Sequence, residues 1–240
     1  MPPRILVANN ALDHGRITCD AFLDVIFQSS TPPSVVLPTG NTPLPFYAEL
    51  RARLRTRQAK IDFQFLQLDE YMGCAPHSET LFSKWIAREV LDPLHIADRF
   101  TFNSAADPSE EVARIRAHMA SLPSIDLVVL GIGQNGHIGL LEPGTDFNCA
   151  ASLVEMAEST WAANCAYWGQ DIPRSAVTLG FQELRKAQHT FMLALGTSKA
   201  EALYRAFYGD VTPDCPASYL QSMDNVTIIA DRDALSLFPV

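Results

Sequence analysis

Three features are scarce in this 240-residue sequence: long apolar runs, basic residues and patterned cysteines. No apolar run approaches the ~18 residues of a membrane span, and the first ten residues are typical of a strand, not of a signal peptide. Lys and Arg number 18 against 27 Asp and Glu, which argues against a nucleic-acid partner, because phosphate backbones bind dense positive charge. The five cysteines lack CxxC spacing, which favours reduced thiols and a cytoplasmic location.

Short apolar runs alternate with helix-period segments from one end of the chain to the other. The runs that predict strands are Arg4–Ala8, Ser34–Leu37, Phe63–Leu68, Ile125–Leu130, Ala176–Leu179, Phe191–Leu195 and Val226–Ala230. Strands that alternate with helices indicate an α/β fold with a mostly parallel sheet, covered on both faces. No repeat, low-complexity tract or linker divides the chain, so we expect a single domain over residues 1–240. Ligands of such sheets bind in loops beyond the carboxyl ends of the strands.

The segment Leu37–Pro43 joins one of these strands to a helix. Gly40 can adopt a positive φ and turn backbone N–H groups toward a ligand. Asn41 and Thr42 add short polar side chains near a helix N-terminus, where the helix dipole favours an anion. The same residues also suit an ordinary capped helix start, with Thr42 as the cap and Pro43 as the first helical residue.

Two adjacent carboxylates, Asp69 and Glu70, follow another predicted strand. Successive strand residues point to opposite faces, so we do not expect the two side chains to act as a touching pair. One of them can face a pocket and serve as a general base whose pKa is tuned by burial. A solvated acidic turn is the alternative interpretation.

The segment Gly131–Gly144 is the glycine-rich loop of the sequence. Its first six residues fit the GxGxxG pattern of dinucleotide sites, but Gly139 and Pro143 interrupt the helix that this pattern should open. The loop also carries His137, five residues before Glu142, which favours an active-site loop. No HxxxH or HxH pair accompanies this histidine, so we expect no metal.

Two cations stand near predicted strand ends. Arg174 precedes the strand at Ala176, and Lys199 begins a helix after a strand. A cation at a helix N-terminus opposes the helix dipole, a mild cost that makes sense if Lys199 faces a bound anion. A solvated surface lysine is the alternative.

Six segments resemble, in order, motifs of the glucosamine-6-phosphate deaminase/isomerase family and, more loosely, of the 6-phosphogluconolactonases that share its fold. They are Leu37–Pro43, Leu68–Tyr71, Gly131–His137, Glu142–Gly144, Gly196–Ala200 and Pro216–Gln221. Each motif is weak alone, but six in order over nearly the whole chain are specific. The resemblance implies a Rossmann-like three-layer α/β/α sandwich with a small helical lid. It also implies a cofactor-free conversion of glucosamine 6-phosphate to fructose 6-phosphate and ammonia.

The resemblance assigns catalytic roles to four residues. His137 matches the acid/base that opens the sugar ring, and Asp69 matches the base that moves a proton from C2 to C1. Glu142 matches the carboxylate that orients the histidine and fixes its tautomer. Asn135 stands where many relatives have Asp, and it can form hydrogen bonds but cannot exchange protons in a relay.

The resemblance also implies substrate contacts. A phosphate site is expected at Gly40, Asn41, Thr42, Arg174 and Lys199, and backbone donors of the glycine loop, Gly136 among them, at an anionic intermediate. Residues 78–91 match a region that acts as a lid in relatives. The chain ends where short, non-allosteric relatives end, so we expect a monomer or small homo-oligomer.

Three alternatives remain open from the sequence. A galactosamine-6-phosphate deaminase is one, because recognition of the C4 hydroxyl is not legible. A 6-phosphogluconolactonase is less favoured, because that pattern lacks the Glu of Glu142–Gly144. A non-enzymatic sugar-phosphate sensor is disfavoured by the acidic composition and by a first strand that no helix-turn-helix region precedes. We expect a phosphorylated amino sugar as the substrate, and neither a membrane nor a nucleic acid as a partner.

Overall fold

The computed structural model describes residues 3–57 and 60–239, so residues 1, 2, 58, 59 and 240 of the predicted domain lie outside the described part. The strands are β1 (Arg4–Ala8), β2 (Ser34–Leu37), β3 (Gln64–Gln67), β4 (Asp69–Tyr71), β5 (Arg99–Phe100), β6 (Ile125–Gly131), β7 (Ser152–Glu155), β8 (Ser175–Thr178), β9 (Ala187–Ala194) and β10 (Val226–Asp231). The α-helices are α1 (Ala11–Gln28), α2 (Leu44–Arg57), α3 (Phe82–Ile86), α4 (Pro108–Ser121), α5 (Glu158–Trp168), α6 (Phe181–Leu184) and α7 (Ala200–Tyr208).

Seven strands form one sheet in the order β1-β10-β9-β6-β2-β3-β5. Each neighbouring pair in this sheet is parallel, which confirms the parallel sheet predicted from the alternating pattern. The strands Arg4–Ala8 and Ser34–Leu37 have their predicted bounds. The central strands are continuous apolar runs because both of their faces are covered.

Helices pack on both faces of the sheet. On β2, Val35 packs in the same cluster as Phe22 of α1 and Phe46 of α2. Val36, which points the other way, packs in the same cluster as Ile115 of α4. The period-2 alternation of a strand therefore separates two cores, one on each side of the sheet. This arrangement confirms the three-layer α/β/α sandwich.

The order of the strands brings three sequence-distant loops together. β6 lies between β9 and β2 in the sheet, and parallel strands end at the same edge. The loop after β2 (residues 38–43), the loop after β6 (residues 132–144) and the turn after β9 (residues 195–199) are consequently neighbours. This edge is where a parallel α/β sheet binds ligands.

A second, smaller sheet was not predicted. β4 and β7 pair antiparallel with β8, in the order β4-β8-β7. The predicted strand at Ala176–Leu179 therefore belongs to this sheet and not to the parallel one. Short apolar runs do not reveal their pairing partner, since that choice depends on residues far away in the sequence.

Two predicted helices are less regular than their patterns suggest. The segment Leu81–Leu91 is the short helix α3 followed by a π-helical turn, Ala87–Leu91. The predicted helix Lys199–Tyr208 begins one residue later, at Ala200. Lys199 is the last residue of a 3₁₀ turn, Thr197–Lys199, that comes just before α7.

The helix α1, with 18 residues, is longer than the other described helices. One of its faces is buried against the sheet, and the other carries charged residues such as Asp13, Arg16 and Asp20. Nowhere in residues 3–57 and 60–239 is there a helix long and apolar enough to cross a bilayer.

The buried carboxylate of Glu70 anchors the start of α3 to β4. Its oxygens accept hydrogen bonds from the backbone N–H groups of Phe82 and Ser83, each at 2.9 Å, and from Gln67 Nε2 at 3.0 Å. The N–H of Tyr71 is a fourth donor, at 3.1 Å. Glu70 thus satisfies donors at a helix N-terminus that would otherwise be buried without partners.

Replacing this carboxylate is expected to loosen α3. In a Glu70→Gln variant, the amide –NH₂ group would face N–H donors, and the free energy of unfolding should fall by ~1–3 kcal/mol. Urea unfolding of the variant and the wild type measures the difference. The control is Glu79→Gln, whose side chain is 79% exposed. Equal stability of the Glu70 variant and the wild type would contradict this role.

Candidate active site

A cavity of about 590 Å³ opens at the carboxyl edge of the parallel sheet. Its walls are the loops after β2, β6 and β9, the start of β4, and side chains of α3 and α5. The cavity brings together seven of the ten predicted site residues: Gly40, Asn41, Thr42, Asp69, Asn135, His137 and Lys199. Glu142 contacts two of these residues without lining the cavity itself.

The loop after β2 forms a wall of the cavity that is suited to an anion. Gly40 has a φ of +95°, which a residue with a Cβ rarely adopts. The N–H of Leu44 donates to the carbonyl of Asn41 at 3.2 Å, and α2 begins at Leu44. The predicted start of this helix at Pro43 is therefore one residue early. The first turn of α2 contains no acidic residue, so that no side chain there offsets the positive end of the helix dipole.

Lys199 brings a positive charge to the same cavity. Its Nζ donates a 2.8 Å hydrogen bond to the carbonyl of Ile132 in the glycine loop. Burial lowers the pKa of Lys199 from its usual value. Ser198, which precedes it, also lines the cavity and was not predicted. Its position next to Lys199, which is predicted to bind phosphate, was the signal that could have identified Ser198.

The adjacent carboxylates point in opposite directions, as predicted. Asp69 lines the cavity, while Glu70 lies beneath it and holds α3. Burial raises the pKa of Asp69 to about 8, with a further contribution from the charge of Glu70. Burial also raises the pKa of Glu70, although its hydrogen-bond donors oppose this effect. A carboxyl group with a raised pKa in a cavity is suited to take up and return a proton.

His137, Glu142 and Asn135 form one connected group. The Nδ1 atom of His137 lies 3.8 Å from Oε2 of Glu142. Asn135 Nδ2 donates to the same Oε2 at 2.8 Å, and the backbone N–H of His137 donates to Asn135 Oδ1 at 3.1 Å. Asn135 therefore holds the carboxylate and the histidine backbone in a fixed relation.

The pKa of His137 reflects three influences. Burial lowers it, the positive charge of Lys199 lowers it further, and the carboxylate of Glu142 raises it. The net direction is downward, so the imidazole is biased toward its neutral form, in which one ring nitrogen can accept a proton.

The glycine loop forms turns where a dinucleotide-binding loop would open a helix. The N–H of Gly136 donates to the carbonyl of Gly133 at 3.0 Å, and the described residues between β6 and β7 contain no helix. The imidazole ring of His137 packs directly on Gly133. A Cβ at this position would overlap the ring, so the contact requires a glycine. The structure thus agrees with the rejection of a dinucleotide-binding loop. Gly133, Asn135 and His137 of this segment line the cavity, and their part in catalysis stays a prediction.

The structure does not bring Gly136 and Arg174 to the cavity wall. Gly136, with a φ of +90°, packs against Cys215, and its N–H is already used within the turn. Arg174 donates to Glu158 at 2.6 Å, and its guanidinium lies over the ring of Trp161. Contact of either residue with a substrate stays a prediction.

One wall of the cavity was missed from the sequence. It is formed by α5, through Thr160, Asn164, Tyr167 and Trp168, together with Phe82 and Trp85 of α3. Trp85 Nε1 donates to the hydroxyl of Tyr167 at 2.8 Å, which joins the two helices. The aromatic richness of α5 was the available signal. Residues 78–91 contribute to this wall, and their movement as a lid stays a prediction.

The described residues offer no group of three or more His, Cys, Asp or Glu side chains that could hold a metal ion. The polar groups of the cavity instead divide into two sets. The first set, Asn41, Thr42, Ser198 and Lys199, is suited to a phosphate. The second set, Asp69 and His137, is suited to proton transfer on the rest of a small polar ligand.

Comparison with known proteins shows which family this chain matches. The family described as glucosamine-6-phosphate isomerases/6-phosphogluconolactonase matches residues 17–229. A glucosamine-6-phosphate deaminase from Bacillus cereus strain B4264 is 36% identical over 219 residues, covering 90% of this chain and 82% of that protein. A deaminase from Bacillus anthracis strain CDC 684 has the same identity over the same length.

Solved structures agree with the sequence relatives. A monomeric glucosamine-6-phosphate deaminase has a TM-score of 0.92 at 30% identity, covering 98% of this chain and 99% of that one. A 6-phosphogluconolactonase from Trypanosoma brucei has a TM-score of 0.77 at 21% identity, covering 99% of each chain, and shows a shared fold alone. The chain belongs to the glucosamine-6-phosphate isomerase/6-phosphogluconolactonase family.

Proposed function

We propose that this protein converts glucosamine 6-phosphate to fructose 6-phosphate and ammonia. The observation that carries the proposal is that one cavity is lined by a helix start and a lysine suited to an anion, by Asp69, and by His137 and Asn135, both of which contact Glu142 behind the wall. The 36% identity to deaminases over 90% of the chain supports the same activity.

The phosphate of the substrate binds, in this proposal, between the start of α2 and Lys199. Backbone N–H groups and the side chains of Asn41 and Thr42 donate hydrogen bonds, and the ammonium of Lys199 supplies a point charge. The helix dipole of α2 adds a favourable field. Recognition must be this local, because a chain of net charge −9 cannot attract an anion by its overall field.

Arg174 can join this site only by leaving Glu158. The two side chains are 44% and 72% exposed, so that water screens their attraction and the ion pair is weak. A phosphate dianion, which accepts two parallel hydrogen bonds from a guanidinium, is a stronger partner. We therefore propose that Arg174 changes partner when the substrate binds.

Ring opening is assigned to His137. The imidazole accepts the proton of the C1 hydroxyl and delivers a proton to the ring oxygen, so that the C1–O5 bond breaks and an open-chain aldehyde forms. A neutral histidine is required for the first transfer, and burial favours that form. The carboxylate of Glu142 stabilises the imidazolium that exists between the two transfers.

Isomerisation and ammonia release are assigned to Asp69. The carboxylate removes the proton from C2 and returns it to C1. A proton of the substrate ammonium passes to the C1 oxygen, so that a C1 hydroxyl forms and a protonated imine remains at C2. Water adds to this imine and expels ammonia, giving the ketose. The cationic amine of the bound substrate lowers the pKa of Asp69, since an opposite charge nearby favours the carboxylate. Closure of α3 and α5 over the cavity would limit the access of bulk water.

The assembly and location of the protein complete the proposal. The solved relative with a TM-score of 0.92 is a monomeric deaminase, and we propose a monomer or small homo-oligomer acting in the cytoplasm. Light scattering of the purified protein measures its mass.

A turnover panel tests the activity directly. Purified protein is expected to release ammonia from glucosamine 6-phosphate, with hydrolysis of 6-phosphogluconolactone no faster than its spontaneous rate. Galactosamine 6-phosphate forms the third arm and measures selectivity at C4. A folded protein that releases no ammonia from either amino sugar would overturn the deaminase proposal. Lactone hydrolysis in its place would favour the second activity of the family.

An Asp69→Asn variant is expected to lose kcat by roughly two to four orders of magnitude, because it lacks the base. In the wild type, kcat/KM should fall about tenfold per pH unit below about 8, where Asp69 becomes protonated in the free enzyme. The corresponding fall in kcat should lie at lower pH, since the substrate amine favours the carboxylate. The control is Asp62→Asn at an exposed position. A near-normal rate in the Asp69 variant would refute the assignment.

The same burial predicts how stability depends on pH. The folded pKa of Asp69 is raised from 3.8 to about 8, so its contribution to stability is present at low pH and lost as the pH rises through this window. The free energy of unfolding of Asp69→Asn, minus that of the wild type, should therefore increase between about pH 4 and pH 8 and then level off. Urea unfolding across this range measures it, and a difference that is constant with pH would contradict the raised pKa.

A further inference from the structure

The hydroxyl of Thr160 lies beside the proposed ring-opening histidine. Its Oγ1 is 3.3 Å from Nδ1 of His137, closer than the 3.8 Å that separates this nitrogen from Oε2 of Glu142. Thr160 belongs to α5 and is only 4% exposed. Nothing in the pattern of the sequence singles out this residue.

Other donors already occupy the carboxylate of Glu142. Asn135 Nδ2 donates to Oε2 at 2.8 Å, and the backbone N–H of Ala157 donates to Oε1 at 3.3 Å. These contacts hold Glu142 at its distance from the ring. Thr160 is therefore the nearer hydrogen-bond partner of His137 Nδ1.

The two neighbours of Nδ1 restrict its protonation. An ionised carboxylate can only accept a hydrogen bond, and a threonine hydroxyl can accept one as well. A proton on Nδ1 satisfies both neighbours, whereas a lone pair there would face the carboxylate of Glu142 unfavourably. This tautomer leaves the lone pair on Nε2, the other ring nitrogen. Gly133 leaves room for the ring in this position, because a Cβ there would overlap it.

A chain of hydrogen bonds fixes Thr160 in turn. Asn164 Nδ2 donates to the carbonyl of Thr160 at 2.8 Å, and the hydroxyl of Tyr71 donates to Asn164 Oδ1 at 2.6 Å. Trp168 Nε1 donates to the same tyrosine hydroxyl at 3.1 Å. Tyr71 lies on β4 two residues after Asp69, so one short strand positions both the proposed base and the helix that carries Thr160.

We propose that Thr160 is a positioning residue, which holds the proton of His137 on Nδ1 and thereby leaves Nε2 free to exchange a proton with the substrate. This inference deepens the proposed function and rests on it for its catalytic consequence. The tautomer of the free enzyme is a separate property, which can be measured without turnover.

Three charged or titratable groups besides Thr160 act on the protonation of the ring. Glu142 favours a proton on Nδ1, and Lys199 disfavours a second proton on the ring. Asp69 lines the same cavity and is mainly neutral at neutral pH, because burial raises its pKa to about 8. The test must therefore remove the hydroxyl of Thr160 without changing any charge.

Thr160→Val removes the hydroxyl and keeps the shape of the side chain, and Thr160→Ser restores the hydroxyl. Thr56→Val, at an exposed position on α2, is the matched control. Each protein is labelled with ¹⁵N-histidine, and the signals of His137 are assigned by comparison with His137→Gln. The wild type, the Ser variant and the control should show a proton on Nδ1 at neutral pH. The Val variant should show a larger fraction with the proton on Nε2 and a lower pKa of His137.

Kinetics supply the second measurement. In Thr160→Val, kcat should fall about three- to tenfold, with KM changed less than about twofold, because a hydrogen bond to the reacting histidine is lost while the phosphate site is intact. The pH dependence of kcat should shift in the same direction as the pKa of His137. Thr160→Ser should regain most of the lost rate.

The outcomes separate this inference from the proposed function. If the wild type carries its proton on Nε2, or if the spectrum of Thr160→Val matches that of the wild type, the role of Thr160 is overturned whatever the substrate. If the spectra change as expected but no amino sugar phosphate is turned over, the positioning stands and the deaminase proposal fails. A fall in kcat with an unchanged spectrum would point to packing alone and would also overturn the inference.

Discussion

The parallel pairing of β6 with β9 on one side and β2 on the other is the constraint on which the site depends. These three strands end at one edge of the sheet, so a lysine near residue 200, a histidine near 140 and an anion-binding loop near 40 become neighbours. None of these groups is close in sequence. The hydrophobic cores on the two faces hold the register, because a slip of one residue would turn every buried side chain of a strand outward.

The small antiparallel sheet contributes a second constraint. On β4, successive side chains point to opposite sides of the strand. Asp69 lines the cavity, Glu70 contacts the start of α3, and Tyr71 contacts Asn164 of α5. Three consecutive residues thus provide the proposed proton-transfer group and anchors for two helices of the cavity wall. The burial of Asp69 in this setting raises the pKa of its carboxyl group, with a further contribution from the charge of Glu70.

Much of the site could be predicted because its chemistry requires particular residue types at strand ends. The opposite orientations of Asp69 and Glu70 followed from period-2 geometry, and His137 stood out between glycines before Glu142. Asn135 cannot relay protons, but its amide can both donate and accept hydrogen bonds. It donates to Glu142 and accepts from the backbone N–H of His137. The contacts of α5 could not be predicted, because no local pattern tells which face of a half-exposed helix meets a distant loop. Arg174 shows the same limit, since Glu158 and Trp161 hold it away from the cavity wall.

The sequence by itself determined the alternation of strands and helices, the layered sandwich and seven of the residues that line the cavity. These properties depend on apolar periodicity and on residue chemistry, both of which are local. Only the tertiary structure decided the pairing of β4, β7 and β8, the wall formed by α5, and the contact between Thr160 and His137. Those properties depend on which distant surfaces pack together, and hydrogen bonds between side chains far apart in the sequence form only after that packing is complete.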